Sequence, residues 1–213
     1  MSSSPSNHHP VDGKVEDMRW SRHGVRGLAA AIGAAAGALL FATPAAAAPL
    51  TPVPQLDVNR YVGQWYQLAA NPAPYNIDCA RDTTAFYTLL DERNVRVENS
   101  CTTFTGDRRG IIGNARVNDT AALHVSFPGV PFQDSLDGPS NYIVTYLADD
   151  YSWAFVGDPT RISGFVLSRS PVVGDDAWRE IRNVVEASGY NSCLMLTSPT
   201  TEGLQDIRPL CTV

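Results

Sequence analysis

His124 and Ser126 stand two positions apart in LHVSF, residues 123–127, so an extended chain puts them on one face. A histidine within reach of a serine is half of a nucleophilic device. Acyl chemistry also needs an acid that orients the ring and a tight turn that presents the hydroxyl. No acid is placed to orient this ring, and no nucleophile-elbow motif surrounds the serine. His124 is the only histidine after residue 47, and it reads as a structural or surface residue. Asp149/Asp150 and Asp175/Asp176 are adjacent pairs in a turn and at a helix start, where solvated acids are ordinary. The chain also has no phosphate loop and no dinucleotide fingerprint. These residues point away from catalysis, and we expect no enzyme and no cofactor.

The remaining reactive side chains are Cys79, Cys101, Cys193 and Cys211, separated by 22, 92 and 18 positions. A zinc site of the usual kind needs closely spaced pairs, and there is no C-x-x-C, so no metal is expected. Four cysteines in an exported chain read as two disulfides, with three connectivities open.

Export is written at the other end of the chain. Arg19, Arg22 and Arg26 precede the apolar run LAAAIGAAAGALLF at 28–41, and PAAAA follows at 44–48. A basic flank, a short apolar run and small residues at the end make a secretory signal peptide. The run is too short to span a bilayer as a helix. Cleavage is expected after Ala47, giving residues 1–47 as extension and signal and 48–213 as one domain. Residues 1–17 lack a basic cluster, so translation is expected to start at Met18. After Ala47 the chain keeps 12 of its 16 basic residues and 19 of its 22 acidic ones, a net charge of 12 − 19 = −7. That excludes an ordinary nucleic-acid surface, which needs a basic patch. It also supplies no polybasic segment for anionic lipid.

The domain must be built mostly from strands. After the proline-rich leader PLTPVPQLDV (49–58) come eight short segments rich in β-branched and aromatic residues, at 63–70, 83–90, 95–104, 110–117, 121–127, 141–148, 152–157 and 163–169. Turn compositions separate them. Residues 175–187, DDAWREIRNVVEA, then place Trp178, Ile181, Val184 and Val185 at helical spacing, with an acidic start and Gly189 as the stop. A short strand at 192–197 closes the series. Eight antiparallel strands and one amphipathic helix predict an all-β barrel or sandwich. A single helix can cover one wall of a barrel, and its apolar stripe must be buried somewhere.

LDVNRYVGQWYQLA near the start, LHVSFPG and NYIVTYLADDYSWAFVGDP in the middle, and GFVLSRSP before the helix together resemble the lipocalins, in the branch of the bacterial outer-membrane lipocalin and apolipoprotein D. The resemblance runs from 55 to 200 and implies an eight-stranded up-and-down barrel with one C-terminal helix outside. It makes Gly63 and Trp65 the family's G-x-W and Arg169 the arginine that closes the barrel floor over the indole. The loop at 128–140 is longer than in the compact bacterial members. Strand parity and the resemblance assign Leu123, Val125, Phe127, Tyr142, Val144, Tyr146 and Phe165 to the barrel interior, with Phe86 and Trp153 beside them. These side chains would either hold a ligand or simply fill the barrel.

The resemblance further implies the pairings Cys79–Cys211 and Cys101–Cys193, which tie the tail across the barrel. Pairing within each half remains the alternative. The expected function is carriage of a small hydrophobic ligand such as a fatty acid or lysophospholipid, with no nucleic acid as partner and with room for peripheral contact with a membrane or the cell envelope. Two other readings stay open: an enzyme acting on a bound lipid or isoprenoid, as some lipocalin relatives are, and a packed barrel that presents its loops to a partner.

Overall fold

The computed structural model describes residues 48–213, and the expected signal peptide and start site lie outside the described residues. A short helix α1 (Val58–Tyr61) opens the domain where the proline-rich leader ends, because the Asp57 carboxylate caps it by accepting from the Asn59 N–H. Eight strands follow: β1 (Gly63–Ala70), β2 (Cys79–Leu89), β3 (Asn94–Thr103), β4 (Arg108–Asp119), β5 (Ala122–Ser126), β6 (Tyr142–Leu147), β7 (Trp153–Gly157) and β8 (Gly164–Ser168). Each pairs antiparallel with the next, and β1 pairs with both β2 and β8, so the sheet closes on itself. Closure removes free edges, which a long β protein otherwise exposes to aggregation.

The closing strand changes partners along its length. Its first half pairs with β2, from Gly63↔Tyr87 to Tyr66↔Thr84. Its second half pairs with β8, through a register shift between Gln67 and Ala69. That bulge puts Leu68 and Ala69 both on the outer side, where they join the core under the helix. A last strand β9 (Leu196–Thr197) adds to the outer edge of β1 at Ala69 and Ala70. The sequence segment 192–197 is therefore only partly strand: Ser192–Leu194 is a helical turn, capped by Asn191 accepting from the Cys193 N–H.

Two apolar cores result, one on each side of the barrel wall. Outside, helix α2 (Asp175–Ala187) buries Trp178, Ile181 and Val185 against Leu68, Phe155 and Val166. Its Asp175 and Asp176 stand in the first turn, where the helix dipole favours them. Inside, Trp65, Val97, Ala154 and Val156 form the closed half of the barrel.

The disulfides correct the sequence reading. Cys79 is bonded to Cys101 and Cys193 to Cys211, not Cys79 to Cys211 or Cys101 to Cys193. The reason is proximity. Strands β2 and β3 are hairpin neighbours in which Cys79 pairs with Thr103, and the Cα atoms of Cys79 and Cys101 lie 5.6 Å apart. The tail does not cross the barrel mouth. It folds back along the segment after α2, where Leu196 bridges Pro209, and brings Cys211 within 4.9 Å of Cys193. Each bridge closes a loop of about twenty residues, for which chain entropy gives about 3 kcal/mol.

Candidate functional site

The closed end of the barrel is built around Trp65. Its indole is fully buried and donates through Nε1 to the Tyr61 carbonyl, 2.8 Å away. The Arg169 guanidinium arrives from the end of β8 and lies 3.7 Å from the indole centroid. Arg169 Nη1 donates to the Gln64 carbonyl at 2.7 Å, and Nη2 reaches the carbonyls of Arg60, Tyr61 and Val62 at 2.7–3.0 Å. One side chain thus ties the strand β1 to the α1 turn. Gly63 adopts φ +93°, a left-handed conformation that side chains disfavour, and lets the chain turn sharply into β1 beside Arg169.

Above this floor stand three tyrosines. The Tyr142 hydroxyl is 2.8 Å from that of Tyr61 and 3.2 Å from that of Tyr87. Tyr61 also stacks on Tyr87, with ring centroids 5.9 Å apart, and leans on Trp65 at 4.9 Å. Burial disfavours the phenolate. It raises the Tyr61 and Tyr142 pKa well above the ordinary tyrosine range and pushes Tyr87 up to about 12. The unfolded chain ionises its tyrosines near pH 10 and the folded one only later, so the stability these groups contribute is complete below about pH 10. It falls as pH rises from there through the folded pKa of Tyr87. We expect a spectrophotometric phenol titration of the native protein to show a late-titrating set of tyrosines, with unfolding overtaking it. A full complement of tyrosines titrating normally in the folded state would contradict the buried triad.

Toward the other end the inward side chains become accessible. Leu123, Val125, Phe127, Tyr142, Val144 and Phe165 all face the barrel interior. Leu123 and Val144 are buried, whereas Val125, Phe127, Tyr142 and Phe165 keep part of their surface open. Cross-strand pairing supports this: Leu123 faces Tyr142, Val125 faces Ala115, and Val156 faces Phe165. Phe127 packs over Gly113, where an added Cβ would lie 2.5 Å from the ring. The interior is therefore a mainly apolar cup, buried at the Trp65 end and partly accessible toward the end formed by loops 71–78, 104–107, 127–141 and 158–163. At that open end β1 leaves β2 for β9, and the gap holds a side cavity of about 220 Å³ lined by Gln67, Ala70, Ile77, Cys79, Leu196 and Ile207 among others. This is below the roughly 300–1,000 Å³ of complete small-molecule sites. It lies beside the barrel end and shares no lining residue with the inward set Leu123, Val125, Phe127, Tyr142, Val144 and Phe165.

Three residues assigned to the interior from the sequence lie outside it. Tyr146 is displaced by a bulge, since β6 pairs Val144 with Val156 and then Tyr146 with Phe155. The extra residue flips the alternation. Tyr146 instead packs on Trp153 outside the barrel, at 4.3 Å between centroids, and its hydroxyl donates to Glu180 of α2 at 2.9 Å. Trp153 belongs to the outer core with Trp178 and Ile181. Phe86 alternates with the inward Ala85 and Tyr87, and so points into solvent. Inward residues that the sequence reading passed over include Asn99, placed opposite Ala85 and Ile111, whose buried Oδ1 has no hydrogen-bond partner.

His124 has a structural job. Its Nδ1 lies 2.8 Å from the Pro139 carbonyl and its Nε2 3.0 Å from the Ser135 carbonyl, so the ring staples the long 127–141 loop to the outside of β5. The ring packs so closely on Gly138 that a Cβ there would sit 2.4 Å from it. Ser126 bonds instead to the Asn114 carbonyl. The two residues make no nucleophilic pair.

Comparison with known proteins agrees with this architecture. A family model described as a lipocalin-like domain matches residues 56–200. Temperature-induced lipocalin-1 of Arabidopsis thaliana is 28% identical over 152 residues, covering 69% of this chain and 81% of that protein. The outer membrane lipoprotein Blc of Escherichia coli (strain K12) is 29% identical over 170 residues, covering 77% and 90%. Insecticyanin from the tobacco hornworm Manduca sexta superposes with a TM-score of 0.52 at 17% identity, covering 76% of this chain and 94% of that one, which is a likeness of fold. With its closed eight-stranded barrel, its G-x-W floor and its single outer helix, the chain belongs to the lipocalin family, in the branch similar to the bacterial outer-membrane lipoprotein Blc.

Proposed function

We propose that this chain is an exported carrier that holds a lipid, such as a fatty acid or lysophospholipid, in its barrel. The observation that carries the reading is the gradient inside the cup: apolar side chains that are sealed at the Trp65 end and accessible at the mouth. Lipocalin membership supports binding of a small hydrophobic molecule in general. Burying an alkyl chain contributes about 0.8 kcal/mol per methylene, so a long chain can be held without a charged anchor in the depths. Export is supported by the basic and apolar pattern of residues 19–48 and by two disulfides, which persist in oxidising compartments. No cysteine stands near residue 47, so attachment through a lipid-modified cysteine is not part of the proposal.

Native mass spectrometry of the protein isolated from its source tests this directly. The expected result is a co-purifying lipid mass that a fluorescent fatty acid displaces. A ligand-free barrel that also fails to bind the fluorescent fatty acid would overturn the carrier reading.

A further inference from the structure

The four most exposed large apolar side chains among the described residues are Phe132 (106%), Ile162 (77%), Phe104 (72%) and Ile77 (71%). They fall one to each of the four loops at the barrel mouth: Ile77 in 71–78, Phe104 in 104–107, Phe132 in 127–141 and Ile162 in 158–163. Single exposed hydrophobes are ordinary on any surface. A distribution that gives every loop of one end its own fully offered apolar tip is not. At the closed end the most exposed such residue is Leu90, at 58%. Phe132 also sits at φ +65°, a backbone conformation that bulky side chains seldom adopt, so the chain is bent in a way that leaves the ring with no intramolecular packing.

We propose that these four tips dock the barrel mouth onto an electrically neutral lipid surface. Separate anchors spaced around a ring offer no contiguous patch for a complementary protein face. A fluid bilayer accepts such anchors one by one. Charge selects the kind of lipid. The four loops carry Asp78, Asp107, Asp134, Asp137 and Asp158 against the single Arg161. Of the arginines at the mouth ends of the adjoining strands and behind them, Arg109 pairs with Asp78, Arg116 with Asp137 and Arg81 with Asp82, while Arg108 donates to the Ser100 hydroxyl. The mouth thus has no surplus of basic groups to attract anionic headgroups, and attachment rests on apolar insertion. The side cavity continues this surface, since Ile77 lines it and the half-exposed Tyr75 shares its loop. A hydrophobic molecule entering the barrel from a bilayer would then pass between apolar tips without crossing open water.

Hydrogen–deuterium exchange on phosphatidylcholine vesicles tests the proposal, because it localises contact whatever the N-terminal residues do. Loops 71–78, 104–107, 127–141 and 158–163 should exchange at least severalfold more slowly with vesicles present. The closed-end segments 90–93 and 169–174 should not change. The protection should persist in high salt and be weaker on phosphatidylglycerol vesicles. The combined variant Ile77→Ser, Phe104→Ser, Phe132→Ser and Ile162→Ser should lose it while keeping the wild-type melting temperature, since all four are largely exposed and outside both cores. Unprotected loops on phosphatidylcholine, protection that only anionic vesicles produce, or protection that survives in the variant would each overturn it. Docking and carriage fail separately: an empty barrel can still show loop protection, and a loaded one can lack it.

Discussion

Replacing Trp65 with alanine should lower stability by about 3–5 kcal/mol, the usual cost of deleting a fully buried large aromatic. That is a large part of the 5–15 kcal/mol typical of a folded domain. The indole fills the floor between Tyr61, Arg169 and the strands above. Arg169→Ala should cost about 2–3 kcal/mol. Part is the cation–π contact, worth ~0.5–2 kcal/mol. The rest is the loss of a charged donor to the carbonyls of Arg60, Tyr61, Val62 and Gln64. Urea unfolding measures both. Neither residue reaches the open half of the cup, so any variant that still folds should keep the wild-type order of preference among ligands. An unchanged unfolding midpoint combined with lost binding would show that Trp65 and Arg169 serve the ligand and not the floor.

Filling the cup should do the opposite. Val125 faces the interior at the level where the side chains become accessible, between the buried Leu123 below and Phe127 above. Val125→Trp puts a large ring into space that a ligand would occupy. We expect affinity for a fluorescent fatty acid to fall more than tenfold while stability changes by no more than about 1–3 kcal/mol, the cost of moderate overpacking. Phe86→Trp is the control. Phe86 alternates with the inward Ala85 and Tyr87 and points outward, so the same enlargement there should leave binding as it was. Fatty-acid binding that tolerates Val125→Trp would place the ligand elsewhere, with the side cavity beside Gln67 and Ile207 the first place to look.

Trp65, Gly63 and Arg169 were legible in the sequence through the resemblance to the lipocalins, whose G-x-W and last-strand arginine they match. In this structure they meet at the floor because β1 and β8 are neighbours in the closed sheet, which brings Arg169 from the end of β8 over the Trp65 ring. The eight strands and α2 were visible for a different reason. Alternation with period two and helical spacing are local patterns, and burying one face enforces them. Leu123, Val125 and Phe127 obey that parity, and so do Tyr142 and Val144, up to the point where β6 breaks it.

What the tertiary structure alone decided are the departures from local rule. The bulge after Val144 inserts one residue that no composition announces, and it sends Tyr146 out to Glu180 and α2. Trp153 and the inward Ala154 are neighbours in sequence, and only the position of the helix shows that the large ring belongs outside. The disulfides depend on distance in space. Cys79 meets Cys101 because β2 and β3 are hairpin neighbours, and Cys211 meets Cys193 because the tail turns back on itself. The sequence by itself determined eight antiparallel strands and one amphipathic helix, since burying one face of each enforces a local alternation, and the resemblance to the lipocalins narrowed barrel or sandwich to a closed barrel with one shut end. Which side chains line the cup, which cysteines bond and which apolar tips gather at the mouth are matters of long-range geometry, and folding had to bring those residues together before they could be seen.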